Sequence, residues 1–259
     1  MAFDGNLQVL CDLAVDVAKK AGELLMQRPA VFDLSEKSSV LDFATQMDLQ
    51  SEALIVKSLL DVRPNDGIVG EEGASRESKS GLTWVIDPID GTVNYFYGLP
   101  GWNISIGVKD ETGVIAGAVF SPTTNSLWWA TRGGGAFYNG HKISCNEPVT
   151  LDNALIASGF GYDRPARISQ SADIAKLLPI IRDIRRNGAA AVDLCYVAMG
   201  AVDAYFEEGL NEWDLAAGGL IAIEAGALVS DRTGGAPGKS MVLAAGPTLH
   251  RELLAALAI

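Results

Sequence analysis

Cationic side chains are scarce in this sequence: Lys and Arg number 20 against 32 Asp and Glu, a net charge of −12 at pH 7. Such a balance repels nucleic acid and anionic membrane surfaces, so neither is expected as a partner. An anionic substrate would need a recruited cation. Histidine is scarcer still, with only His141 and His250. His141 falls in a hairpin-like Asn139-Gly140-His141-Lys142 turn and His250 in a closing helix. Both read as surface positions, which leaves little support for a His-based triad or acid–base pair. The three cysteines, Cys11, Cys145 and Cys195, have no CxxC spacing. A disulfide framework and a cysteine zinc site are therefore not expected, and a reducing cytoplasm is the simplest home. No apolar run approaches a membrane span, and MAFDGNLQVL lacks the basic start and apolar stretch of a signal peptide, so a soluble protein is expected. There is no GxxxxGK[ST] loop. The Gly133-Gly134-Gly135 run lies between strand-like segments and reads as a turn rather than a dinucleotide site.

What is present is enough for a substantial core: 259 residues, 48% of them hydrophobic. Leu10, Leu13, Ala14, Val17, Ala21, Leu24 and Leu25 recur at helical spacing until Pro29 and predict a first amphipathic helix. A second runs from about Asp48 to Asp61 and stops at the Arg63-Pro64-Asn65-Asp66-Gly67 cluster. Short β-rich runs follow at Ile68-Val69, Trp84 to Ile86, Ile104 to Val108, Val114 to Phe120 and Leu127 to Ala130, the pattern of a meandering sheet. Past Asn153 the chain alternates. Strands are predicted at Leu155 to Ser158, Ala204 to Glu207, Leu228 to Ser230 and Met241 to Ala244. Helices are predicted around Ile174 to Leu178, Ala190 to Met199, Asp214 to Ala225 and Leu249 to Leu257. This order predicts stacked helix and sheet layers rather than a TIM barrel or a single Rossmann sheet. Two halves, 1–150 and 151–259, are expected to form one compact catalytic unit.

The acids carry the chemistry. Trp84-Val85-Ile86-Asp87-Pro88-Ile89-Asp90-Gly91-Thr92 is an apolar run that ends in two acids three residues apart. Pro88 removes a backbone donor, so the chain is expected to leave the sheet there and put Asp90 on the turn. Gly91 lets backbone approach a ligand, and Thr92 offers a hydroxyl and an amide at the start of a helical turn, where anions are favoured. A single Asp-Pro or Asp-Gly is most often an Asx-turn. Here, however, Gly70-Glu71-Glu72-Gly73 places acids at another strand end, and Trp213-Asp214 opens a helix with Asp214 as N-cap and Leu215, Leu220, Ile221 and Ile223 as its core face. If Glu71, Asp87, Asp90 and Asp214 converge, carboxylates about 4 Å apart repel by about 4 kcal/mol per pair at an effective dielectric of ~20. The cluster must then take up protons or cations. Oxygen-only ligands select a hard divalent ion, so Mg²⁺ is the natural occupant. Such a site suits hydrolysis of a phosphate ester by metal-activated water.

As a pattern, Asp87-Pro88-Ile89-Asp90-Gly91-Thr92-Val93-Asn94, with Gly70-Glu71-Glu72 upstream and Trp213-Asp214-Leu215-Ala216-Ala217-Gly218 downstream, resembles the lithium-sensitive inositol monophosphatase family. The similarity runs from Lys37-Ser38-Ser39 to Thr233-Gly234-Gly235. The resemblance implies a five-layer αβαβα sandwich, the inositol monophosphatase and fructose-1,6-bisphosphatase fold, a homodimer, and two or three Mg²⁺ ions. It implies that Glu71, Asp87 and the Ile89 carbonyl hold one ion while Asp87, Asp90 and Asp214 hold a second. Glu71 and Thr92 would orient the attacking water, with Asp48 behind Thr92. Substrate contacts would come from Ile89, Asp90, Gly91 and Thr92, from Gly188, Ala189 and Ala190, from Glu207, and again from Asp214. Glu207 alone could be a solvated acid, and Lys37 reads as an ordinary loop charge. The implied activity is hydrolysis of inositol 1-phosphate, a small phosphorylated polyol. Histidinol phosphate and sugar phosphates such as fructose 1,6-bisphosphate are the alternatives, and a regulatory binding protein of the transcription machinery is an alternative of another class.

Overall fold

The computed structural model describes residues 5–39 and 42–258, so the first residues of the N-terminal stretch lie outside it. The chain opens with α1 (Leu7–Leu25), whose Asn6 side chain accepts from the Gln8 amide and caps the first turn. A two-stranded antiparallel pair, β1 (Leu34–Ser39) and β2 (Asp42–Thr45), precedes α2 (Gln46–Val62). Next come β3 (Gly67–Gly70), β4 (Ser75–Arg76), β5 (Thr83–Asp90) and the short helix α3 (Thr92–Tyr97). The strands β6 (Asn103–Asp110), β7 (Gly113–Ser121), β8 (Ser126–Thr131), β9 (Gly135–Tyr138) and β10 (His141–Ile143) complete a meander. The later half holds β11 (Leu155–Ser158), α4 (Arg164–Leu177), β12 (Asp183–Arg185), α5 (Ala190–Ala198), β13 (Ala204–Glu207), α6 (Glu212–Glu224), β14 (Leu228–Ser230), β15 (Val242–Ala245) and α7 (Pro247–Leu257).

Eight strands form one sheet in the order β10-β9-β8-β7-β6-β5-β3-β4, and five form another in the order β12-β11-β13-β15-β14. Apolar side chains from α1 and α2 cover the outer face of the large sheet. Its inner face, with Val119 and Trp128, packs on α5 and α6. Those helices also bury Ala157, Tyr205, Val242 and Ala244 of the small sheet, and α4 and α7 close its far face through Leu177, Leu249, Leu253 and Leu257. The layers are therefore αβαβα, as the resemblance implies. All three cysteines are free thiols, and among the described residues no helix is long and apolar enough to cross a membrane.

Several local expectations need correction. The chain does not leave the sheet at Pro88: β5 runs on to Asp90, and a bulge between Asp87, opposite Ser105, and Asp90, opposite Asn103, absorbs the proline. Asp214 is not the N-cap of α6. Asn211 holds that position, and Asp214 is the third helical residue of a capping box. Ile223 is half-exposed, and the buried face of α6 is built from Ala216, Ala217, Leu220 and Ile221 instead. His250 is buried at the inner face of α7, where its Nε2 lies 2.8 Å from Ser230 Oγ, because that hydrogen bond satisfies the ring inside the layer.

The seat of α6 depends on two small residues of the large sheet. A Cβ at Gly117 would lie 3.0 Å from Ala217 Cα, and one at Gly107 3.1 Å from Ala216 Cβ. Gly117→Val should therefore push α6 off the sheet and lower stability by about 1–3 kcal/mol in urea unfolding. An unchanged midpoint would mean that the helix has room to spare.

Candidate active site

Strands β3 and β5 run parallel, with Gly70 beside Ile86. The Glu71 amide donates to the Ile86 carbonyl at 3.1 Å, so the end of β3 brings Glu71 beside Asp87 while β5 runs on. The bulge then turns Asp90 inward. Asp90 Oδ2 accepts from Ala191 N at 2.8 Å and Asn103 Nδ2 at 2.7 Å, and Oδ1 accepts from Ala190 N at 3.1 Å. Its carboxylate thus ends the first turn of α5, where the helix presents unpaired amides. Gly91 follows with φ +88°, a left-handed conformation that glycine adopts without strain, and α3 starts at Thr92. Asp214 reaches the same cavity from the first turn of α6, with Oδ2 accepting from Asn211 N at 2.6 Å.

Thr92 Oγ1 lies 2.9 Å from Asp48 Oδ1 and 3.0 Å from the Ile89 carbonyl oxygen. It has one proton, so it donates to one of them at a time. Asp48 is fixed by its role in α2: its Oδ2 accepts from Thr45 N and Thr45 Oγ1 in the capping box. The acid behind Thr92 is thus set by the start of a helix rather than by a loop.

Glu71, Asp87, Asp90 and Asp214 all line one cavity of about 580 Å³. Burial raises the Asp87 and Asp214 carboxyls well above the usual range, and the fields of neighbouring acids push further the same way. Asp90 is raised to about 6, burial outweighing the hydrogen bonds from Asn103, Ala191 and Ala190. Among the described residues, no three Asp, Glu, His or Cys side chains close on one point as a ready-made metal cage. Glu71 and Asp87 are within hydrogen-bond reach of each other, while Asp90 and Asp214 are each engaged by backbone or side-chain N–H donors. The donor set is oxygen only, and the mutual repulsion calls for positive charge, so these residues fit a hard divalent ion.

Lys37 is not an ordinary loop charge. It lies on β1, and its Nζ is 2.8 Å from Glu71 Oε1 and 2.5 Å from Glu72 Oε1. Its neighbours in the sequence, Glu36 and Ser38, give no sign of this. Burial raises Glu72 to about 7 despite Lys37.

On the far side of the cavity the 186–189 loop faces Gly91. A Cβ on Gly91 would sit 3.2 Å from the Gly188 carbonyl oxygen and from Ala189 Cβ. The loop is tied down from both sides: Asn94 Nδ2 donates to the Asn187 carbonyl at 2.8 Å, and Asn187 Nδ2 donates to Asp193 Oδ1 at 2.5 Å. Asp193 is buried on α5 and raised to about 8, mainly by that burial. Sequence reasoning missed both tethers. Glu207 is held by Tyr205 Oη at 2.7 Å and raised to about 7 by burial, against the pull of that hydrogen bond and of Arg186. It is therefore not a freely solvated acid. Tyr162, Arg186 and Lys239 also line the cavity. They come from three separate loops, and no motif in the sequence announces them.

A layered α/β molecule whose sheet ends and helix starts gather acids around one cavity is thus defined by fold and site together. The family model described as inositol monophosphatase family matches residues 6–258, and the chain belongs to that family. It is 43% identical over 233 residues to the inositol-1-monophosphatase of Mycobacterium bovis, covering 85% of this chain and 80% of that one. It is 39% identical over 231 residues to the Nus factor SuhB of Escherichia coli, covering 87% and 86%. Among solved structures, the extragenic suppressor protein suhB from Bartonella henselae superposes with a TM-score of 0.91 at 30% identity, covering 96% of this chain and 98% of the other.

Proposed function

We propose that this protein is a Mg²⁺-dependent phosphomonoesterase that hydrolyses inositol 1-phosphate to inositol and phosphate. The observation that carries this reading is the convergence of Glu71, Asp87, Asp90 and Asp214 on one cavity beside the Gly91-Thr92 turn. The name of the M. bovis relative supports the choice of ester. Glu71, Asp87 and the Ile89 carbonyl would hold one ion, and Asp87, Asp90 and Asp214 another. When bound, such ions neutralise phosphoryl charge and make a bound water acidic enough to attack.

The chain supplies the rest. Thr92 donates its one proton to Asp48, which leaves an oxygen lone pair to accept from the attacking water. Glu71 accepts from the same water on its other side. The Gly91 and Thr92 amides, at the start of α3, receive the phosphate. Gly188, Ala189 and Ala190 flank the polyol, whose hydroxyls donate to Glu207 and Asp214. Residues from both halves of the chain are needed, which supports reading 1–150 and 151–259 as one catalytic unit. We read the working form as a cytoplasmic homodimer.

A phosphate-release panel tests this. Inositol 1-phosphate, histidinol phosphate, fructose 1,6-bisphosphate and 3′-phosphoadenosine 5′-phosphate are each assayed with Mg²⁺, without it, and with added Li⁺. Inositol 1-phosphate should show the highest kcat/KM, with no release in the absence of Mg²⁺ and inhibition by Li⁺. A flat zero across the panel would sink the hydrolase reading. It would favour the second one, a regulatory binding protein of the transcription machinery, which the name of the E. coli relative supports.

A further inference from the structure

Eight acids and only three cations line the cavity. Lys37 is already engaged by Glu71 and Glu72. Arg186 and Lys239 are different: among the described residues, neither side chain makes a hydrogen bond or an ion pair, while most other arginines of the chain are tied to a carbonyl or a carboxylate. Both side chains are exposed to solvent at the cavity. Arg186 is not pointing away from the site, because a Cβ added to Gly188 would collide with its Nη1. The guanidinium is thus folded back over Gly188, whose carbonyl faces Gly91. It is near enough to Glu207, Asp193 and Tyr162 to act on each electrostatically. Lys239 approaches from the loop between β14 and β15, and its backbone carbonyl accepts from Gly209 N at 2.9 Å, two residues after Glu207. Two cations without a hydrogen bond or ion pair of their own among the described residues therefore stand at the cavity, on the side that also carries Glu207.

We propose that Arg186, assisted by Lys239, is a specificity-determining residue that binds a second anionic group, a phosphate or a carboxylate, at the far end of a phosphorylated polyol or sugar. The inference rests on the phosphomonoesterase reading and extends it: the ester's own phosphate lies by Gly91 and Thr92, and the remote anion meets the guanidinium fork. Arginine suits that task because its planar fork matches phosphate and carboxylate oxygens in pairs and stays charged at all working pH values. A cation held within an acidic cavity also discriminates by default. Without the second anion it faces only neighbouring acids it does not pair with, whereas a bound anion gives it a partner.

The test uses two matched open-chain pairs that differ only in the remote group: glucitol 6-phosphate against glucitol 1,6-bisphosphate, and glucitol 6-phosphate against 6-phosphogluconate. For each pair, the ratio of kcat/KM with the second anion to kcat/KM without it is measured for the unaltered protein and for Arg186→Gln, Arg186→Lys and Lys239→Gln. We expect Arg186→Gln to lower the ratio at least tenfold in one pair, Arg186→Lys to recover part of the loss, and Lys239→Gln to give a smaller drop. The pair that responds identifies the anion as phosphate or carboxylate. Ratios unchanged within twofold in both pairs overturn the proposal, as does an equal loss for both members of each pair. The same ratios are read as dissociation constants by calorimetric titration with Ca²⁺ in place of Mg²⁺. If no ester is hydrolysed at all, the phosphomonoesterase reading fails by itself, and the titration still decides the role of Arg186. Arg186 is exposed, so none of these variants should disturb folding.

Discussion

Asp87→Asn should lower kcat for phosphate release by roughly 10³-fold while the metal-free protein stays at least as stable as the original. The carboxylate is shared by both proposed ion positions, so one substitution weakens both. Its place in the fold is undemanding: its oxygen Oδ1 accepts from the Ile89 amide at 3.1 Å, and an asparagine carbonyl can do the same. Burial and the fields of Glu71, Asp90 and Asp214 all oppose charge on Asp87, so a neutral side chain of the same shape removes a burden from the metal-free fold. Asp90→Asn is a poorer probe. Both of its oxygens accept from N–H donors, and an amide NH₂ turned toward any of them would leave buried donors unmatched. Circular dichroism, thermal melting without metal and a phosphate-release assay with Mg²⁺ separate the outcomes. Near-normal turnover in Asp87→Asn would remove Asp87 from the proposed machinery.

Asp66→Ala should destabilise the protein by about 3–5 kcal/mol, the largest loss expected from a residue outside the cavity. Asp66 is almost fully buried and joins three elements. Its Oδ2 accepts from Arg63 Nε and Trp84 Nε1, both at 2.9 Å, while Oδ1 accepts from Ser80 Oγ at 2.6 Å and Arg63 Nη2 at 3.1 Å. Truncation strands the indole N–H of Trp84 in the core and leaves the Arg63 guanidinium without its bidentate partner. Asp66→Asn keeps one acceptor and should lose less. Urea unfolding measures both, and a loss under 1 kcal/mol for Asp66→Ala would show that water replaces the carboxylate freely. The residue stands at the start of β3, the strand whose other end delivers Glu71, so it anchors the frame on which the acids are mounted.

Much of this was legible because apolar spacing and burial coincide. The period of α1 buries most of what it says it buries, and the apolar runs of β6 to β8 form the central strands, whereas the buried face of α6 is built on Ala216 and Ala217, which are too small to stand out in the pattern. The acids at the ends of β3 and β5 were legible because an apolar run stops at each one. Other elements were hidden for physical reasons. The β1 strand, LSEKSS, is too polar to show alternation, and with it the reach of Lys37 to Glu71 was lost. The first turns of α4, RPARISQ, have few apolar residues, so only its last turn could be read. Proline in β5 signals a break when a bulge is the other way to accommodate it. Arg186 was invisible because its meaning depends on what it fails to touch, and that is a property of three dimensions.

One carboxylate in this fold serves two masters. Asp90 faces the cavity, yet it also receives the leading amides of α5, Ala190 and Ala191. A ligand that draws electron density from that carboxylate should weaken its acceptance of those two amides, so the charge held in the cavity bears directly on the first turn of a helix that lies between the two sheets.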